Sequence, residues 1–227
     1  MINRKTNVKV IELFGFPGSG KSTISNKLVE NLKANNIIVV APKRTIDKEL
    51  NSFNRYFIKI IFSLKALLIF NIQLRFLIYK IIKMNNGITL FKQLINVLYT
   101  LSFYNQKDLI VLDEGIIQAL VSASYCQPDS DVIELLNCLP QLVKEQSIFI
   151  YVEIDKDICI QRIQNREDGK SRLDKINDPI KIKEQLEHID QQFKKIQKNI
   201  EYCSIDNSFQ LAENEIKILL EFCISKL

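Results

Sequence analysis

The sequence predicts an α/β fold, a three-layer sandwich with a parallel five-stranded sheet between helices. Three observations predict it. Short apolar runs of strand length alternate with stretches of helical period through most of the 227 residues. The runs at 37–40 and 147–152 are almost continuously apolar, as strands covered on both faces require. The first run, 8–14, feeds a short loop carrying three glycines and then a helix.

That first run, Val-Lys-Val-Ile-Glu-Leu-Phe, is β-branched and of strand length. After it, residues 15–23 read Gly-Phe-Pro-Gly-Ser-Gly-Lys-Ser-Thr and satisfy G-x-x-x-x-G-K-[ST] without a mismatch. Glycines let the backbone curl until several N–H groups point at one anion. The next helix, expected over 22–33 from Ile24, Leu28, Val29 and Leu32, turns its positive end to the same anion. The candidate nucleotide-binding residues are Gly15, Pro17, Gly18, Ser19, Gly20, Lys21, Ser22 and Thr23. Lys21 can reach the β- and γ-phosphates, and the Ser22 hydroxyl can ligate Mg²⁺. The stretch resembles the Walker A loop of P-loop NTPases, which implies ATP and Mg²⁺ as cofactors.

Asn35-Asn36 marks a turn before the strand at 37–40. That strand ends at 41–44, where Lys43 and Arg44 could meet an anionic group beyond the sheet's carboxyl edge or lie in an ordinary solvated loop. Residues 53–104 read as two or three helices, with Phe53, Phe57, Ile60, Ile61, Leu64, Leu67 and Leu68 on one broad face and a break at 85–87. From 50 to 107 there is no acidic residue, against eight basic ones. The longest uncharged stretch between Lys65 and Arg75 is 66–74, too short to span a bilayer, which takes about 20 residues. Three readings stand for this insert: an acceptor-binding unit, a helical pair lying on an anionic membrane, or the face of a homodimer.

The next strand, 108–115, runs four apolar residues into Asp113 and Glu114. It resembles a Walker B segment. Asp113 would hold Mg²⁺ opposite Ser22, and Glu114 would orient or deprotonate the attacking group. A helix is expected over 116–125, a break at 127–129, and another helix from Asp131. The helix at 155–166, capped by Asp155, sets Arg162 and Arg166 on one face. A polar break at 167–171 precedes Arg172. Three arginines around a pliable segment suit a clamp on transferring phosphate. Asp178-Pro179 opens a long helix to about 198, followed by a strand at 202–205 and a terminal amphipathic helix.

Composition narrows the class. The five cysteines lie far apart, which argues against a zinc site or a disulfide framework and suits a reducing cytoplasm. His188, the one histidine, is expected to be a solvated bystander on a lysine-rich helix, which removes histidine-based nucleophilic catalysis. The polar first nine residues give no signal-peptide pattern. A cytoplasmic protein, free or peripheral at the inner membrane face, is expected, with no nucleic-acid partner.

Together these motifs resemble the P-loop kinases of nucleosides, nucleotides and small metabolites, with a thymidylate-kinase-like outline. The resemblance implies one domain over 1–227, with 53–104 as acceptor-binding helices and 167–174 as the lid. It implies transfer of the ATP γ-phosphoryl group to a hydroxyl or phosphate of a small acceptor, and the basic, acid-free insert suits one that is anionic or sugar- or lipid-linked. Lys21, Glu114, Arg162, Arg166 and Arg172 are the catalytic candidates, and Ser22 and Asp113 the metal ligands. The chain departs from thymidylate and deoxynucleoside kinases in ending its third strand Asp-Glu-Gly rather than Asp-Arg or Glu-Arg. Two alternatives remain: a nucleoside monophosphate kinase, and a P-loop ATPase switch or regulatory nucleotide-binding protein at a membrane surface.

Overall fold

The computed structural model describes residues 8–41, 52–70, 72–84, 87–106, 108–124, 131–165, 176, 178–209 and 213–227. Five strands form one sheet: β1 (Val10–Gly15), β2 (Val39–Val40), β3 (Leu109–Leu112), β4 (Ser147–Glu153) and β5 (Tyr202–Asp206). Their order is β2-β3-β1-β4-β5, and every pairing is parallel. The predicted fold class holds. Strand 2 is shorter than expected, and strand 3 stops before Asp113.

β1 is central and buried along its whole length. Its residues alternate between two cores because successive side chains point to opposite faces. Ile11 and Leu13 join α1 (Lys21–Ala34) and the terminal helix on one side. Val10 and Phe14 join a larger core on the other, which includes Tyr151 and Phe193. The Phe14 ring lies 5.2 Å from that of Tyr151 and 5.7 Å from that of Phe193. α1 ends at Asn35 and Asn36, the latter at φ 60°, a left-handed conformation that asparagine tolerates.

The insert forms three helices, α2 (Ser52–Phe70), α3 (Leu74–Met84) and α4 (Gly87–Leu101), and a 3₁₀ turn at Ser102–Asn105. The expected break at 85–87 falls between α3 and α4, where residues 85 and 86 lie outside the described set. A further break near residue 71 separates α2 from α3. α2 and α3 both pack on α4, and α4 packs on α5 (Ile116–Ser124). Of the broad apolar face expected on α2, Leu67 is half-buried and packs against the core, but most of the face does not seat the helix. Phe57, Ile60, Ile61, Leu64 and Leu68 are exposed, while Ser63, Ala66 and Phe70 are buried. Ser63 fits there because its hydroxyl donates to the carbonyls of Lys59 and Ile95, at 2.7 and 3.1 Å.

The remaining helices are α6 (Val132–Asn137), α7 (Gln141–Glu145), α8 (Lys156–Gln164), α9 (Pro179–Gln197) and α10 (Glu213–Lys226). Asp131, Asp155 and Asp178 cap α6, α8 and α9 through side-chain bonds to N–H groups of the first turn. His188 on α9 is half-buried rather than solvated. Its face of the helix is turned toward the core beside Leu186 and Ile189.

Candidate active site

The loop between β1 and α1 leaves the sheet at its centre, so neighbouring strands can deliver side chains to it from both sides. Its shape depends on two glycines. Gly18 and Gly20 both sit at φ 88°, a region that L side chains rarely adopt. At Gly20 a Cβ would also fall 2.2 Å from the Asn207 amide nitrogen. Gly15, which closes β1, has its own constraint: a Cβ there would lie 2.6 Å from the Val152 carbonyl oxygen.

Lys21 begins α1 and folds back over the loop. Its ammonium donates to the carbonyls of Gly15 at 3.0 Å and Phe16 at 2.8 Å, and only 6% of the residue is exposed. The Ser19 hydroxyl is wholly buried and has no hydrogen-bond partner among the described residues. Ser22 and Thr23 are exposed on the first turn of α1. The Cys159 thiol donates to the Pro17 carbonyl at 3.0 Å, which ties α8 to the loop.

Ser22 meets Asp113. The Ser22 hydroxyl donates to Asp113 Oδ2 at 2.9 Å, across 91 residues of sequence. Parallel register explains the meeting. Glu12 on β1 stands opposite Leu112 on β3, so the residue after Leu112 emerges at the height where β1 enters the loop. Two hard oxygen donors with water access suit Mg²⁺, which takes few protein ligands and keeps waters or phosphate oxygens in its other positions. Among the described residues there is no cluster of three or more His, Cys, Asp or Glu side chains that would rival this pair.

The structure also places Glu114 and Arg162. Glu114 is exposed just beyond Asp113. Arg162 is half-buried on α8, and its guanidinium donates to the Asn207 carbonyl at 3.0 Å. Arg166, Arg172, the 167–174 segment, Lys43 and Arg44 lie outside the described residues.

Two residues that the sequence reading passed over shape the site. Asn207 follows β5 directly. Its side-chain amide donates to the Ser19 carbonyl at 2.7 Å, and its own N–H bonds to the Glu153 carbonyl at 2.9 Å. With the Arg162 contact, Asn207 ties the loop, β4 and α8 together. Its position at the carboxyl end of a strand was the available signal. Glu12 is the second. It is fully buried in β1 and accepts from the Tyr104 hydroxyl and the Ile117 N–H, both at 2.6 Å. Ile117 belongs to the first turn of α5, whose dipole favours a carboxylate there. Burial, then the Glu12 charge, push the Tyr104 hydroxyl's pKa well above its ordinary value. A lone acid inside an apolar strand was the signal here.

A cavity of about 420 Å³ opens between α2, α4 and α5. Tyr56, Lys59, Thr89, Lys92, Gln93 and Ser122 are among its lining residues, two of them cationic and none acidic.

No family model matches the chain, and no curated protein matches it. Solved structures do. Shikimate kinase from Acinetobacter baumannii in complex with shikimate aligns at 15% identity and TM-score 0.56, covering 97% of this chain and 95% of that one. The YorR protein from Bacillus subtilis, in complex with phosphorylated GDP, aligns at 16% identity and TM-score 0.50, covering 95% of each chain. Deoxyadenosine kinase from M. mycoides with bound dCTP aligns at 19% identity and TM-score 0.47, over 95% of this chain and 99% of that one. At these identities the likeness is one of fold, and the first two matches carry it.

Proposed function

We propose that this chain, which has the fold of the P-loop kinases, is a phosphotransferase moving the γ-phosphoryl group of Mg-ATP to a small anionic acceptor. The observation that carries the reading is the Ser22–Asp113 contact at the mouth of a loop whose lysine already sits inside it. In this reading the loop N–H groups and Lys21 bind the β- and γ-phosphates. Ser22 and Asp113 would hold Mg²⁺, which when bound would supply positive charge to the phosphate oxygens. Glu114 accepts the acceptor's proton or orients its oxygen. Arg162, joined by Arg166 and Arg172, binds phosphate oxygens and lowers the charge they present. The protein then supplies position and electrostatics rather than covalent chemistry.

The acceptor class follows from charge. The cavity holds two lysines, Lys59 and Lys92, and the insert around it has no acid. Gln93 is 6% exposed, lines the cavity and can fix orientation through a neutral hydrogen bond. A phosphate or carboxylate, on a sugar or at a lipid headgroup, fits that lining better than an uncharged nucleoside.

The test is an ATP-consumption assay against nucleoside monophosphates, sugars, sugar phosphates and lipid-linked sugars. Acceptor-dependent turnover is expected with anionic members of the sugar and lipid sets. Lys21→Ala and Asp113→Asn should each lower it by at least about 100-fold, the scale of one electrostatic contact made in the transition state. Turnover of dTMP alone would instead establish the monophosphate-kinase alternative. ATP hydrolysis indifferent to every acceptor would favour the switch reading.

A further inference from the structure

We propose that the outward faces of α2 and α3, with the first turn of α4, dock on a lipid bilayer bearing anionic headgroups. Of the 21 large apolar side chains that the described residues expose, 12 lie in these three helices and one more, Ile72, in the link between α2 and α3. Phe57, Leu64 and Leu68 stand on α2, Ile72 lies between α2 and α3, Phe76 stands on α3, and Ile88 begins α4. Leu68 is 83% exposed and Ile88 75%. Exposed apolar side chains concentrated on neighbouring helices in this way mark an interaction surface. The packing of α2 and α3 on α4, and of α3 on α5 and α6, leaves these side chains exposed.

Charge selects the occupant. The same faces carry exposed Lys65, Arg75, Lys83 and Lys92, while Lys80 is taken up by Glu134 of α6. No acid occurs between 50 and 107. A second copy of the chain is thereby a poor partner. A two-fold interface matches one patch with itself, so these cations would confront cations with no insert carboxylate to offset them. An anionic bilayer takes both features at once, apolar side chains below the headgroups and ammonium or guanidinium groups among them. The rest of the chain repels such a surface. Of its 31 basic residues eight lie between 50 and 107, leaving 23 against 26 acids elsewhere. The orientation is therefore fixed with the insert down. Contact is in the plane of the interface, since no described helix is long and apolar enough to cross a membrane. The cavity residues Tyr56 and Lys92 are exposed on α2 and α4, two of the helices that carry the docking residues.

Flotation of the full chain with vesicles tests this without nucleotide, so its outcome is separate from that of the phosphotransfer reading. Co-flotation is expected with phosphatidylcholine vesicles containing about one-quarter phosphatidylglycerol, and not with phosphatidylcholine alone. Raising salt from about 0.1 to 0.5 M should weaken it, because screening shortens the reach of surface charge. Lys65→Gln/Arg75→Gln/Lys83→Gln should cut partitioning roughly 100-fold, and Leu64→Ser/Leu68→Ser should abolish it. All five side chains are exposed, and an unchanged circular-dichroism spectrum confirms that the variants fold. Absence of flotation with the anionic vesicles overturns the proposal. So does light scattering that reveals a dimer dissociated by Leu64→Ser/Leu68→Ser, which would identify a second copy as the cover.

Discussion

Replacing Glu12 tests whether a buried carboxylate under the phosphate loop holds the site's framework. Glu12→Ala removes the acceptor for two short bonds, from the Tyr104 hydroxyl and the Ile117 N–H, both at 2.6 Å. Neither donor can turn to water, because Tyr104 and Ile117 are both fully buried. A buried donor left without a partner costs about 1–3 kcal/mol. Two of them, with a cavity where the side chain stood, give about 3–6 kcal/mol, a large part of the 5–15 kcal/mol of a typical domain. Glu12→Gln should cost only about 1–2 kcal/mol. Its carbonyl can still accept from Ile117, and its amide can donate to the Tyr104 oxygen. A second substitution sharpens the test. A Cβ at Gly115 would fall 2.0 Å from Glu12 Cδ, and Gly115 does not have positive φ, so only space excludes alanine there. Gly115→Ala should be severely destabilising alone and much milder in the Glu12→Ala background. Urea unfolding followed by circular dichroism reads the four variants against the parent. A Glu12→Ala cost below about 1 kcal/mol, or strict additivity with Gly115→Ala, would refute the reasoning.

Two further predictions concern the site's edges and its thiols. Asn207→Ala removes the amide bond to Ser19 and should weaken ATP binding by about 5- to 10-fold, the worth of one hydrogen bond, with little loss of stability. A fluorescent-nucleotide titration measures it, and unchanged affinity would assign Asn207 no part in shaping the loop. Burial pushes the Cys203 thiol from an ordinary value near 9 to about 11, and that of Cys223 to about 12. The folded state therefore keeps protons that the unfolded chain releases. Stability should be intact below about pH 9 and fall as pH rises toward 11–12, by about 1.4 kcal/mol per pH unit for each thiol while the two states differ. Urea midpoints from pH 8 to 11 follow the decline, and Cys223→Ala should make it shallower; a flat profile would contradict the burial of both thiols.

What the sequence made legible was local. A nine-residue loop motif between an apolar run and a helical period identifies its own fold context, and Asp113 was readable because four apolar residues deliver it to a strand end. Helix starts at Asp131, Asp155 and Asp178 were readable because a cap is a contact over two or three residues. Hidden features join distant segments: Glu12 to Tyr104 across 92 residues, Asn207 to Ser19 across 188. Periodicity also misled in one way. It found the apolar stripe on α2 correctly but carries no sign for direction, and the structure turns that stripe outward and seats the helix through Ser63, Ala66 and Phe70. The break near residue 71 was missed because apolar residues on both sides continue the period.

The tripeptide Asp113-Glu114-Gly115 shows why a motif read along the chain understates a site built across it. Three adjacent residues serve three separate neighbours. Asp113 receives the Ser22 hydroxyl, Glu114 faces solvent, and Gly115 has no side chain because Glu12 fills the space beside it. Glu12 in turn accepts from the first turn of α5, which starts at Ile116. The short link from β3 to α5 is thus fixed at both ends by β1, through parallel pairing below and the Glu12–Ile117 bond above. Three residues beyond Glu12 the same strand becomes the loop. The loop and Asp113 are therefore referenced to one rigid element, and their spacing does not depend on any flexible connection. Metal-assisted phosphoryl transfer demands that kind of support, since misplacement of about 1 Å can cost about 100-fold in rate.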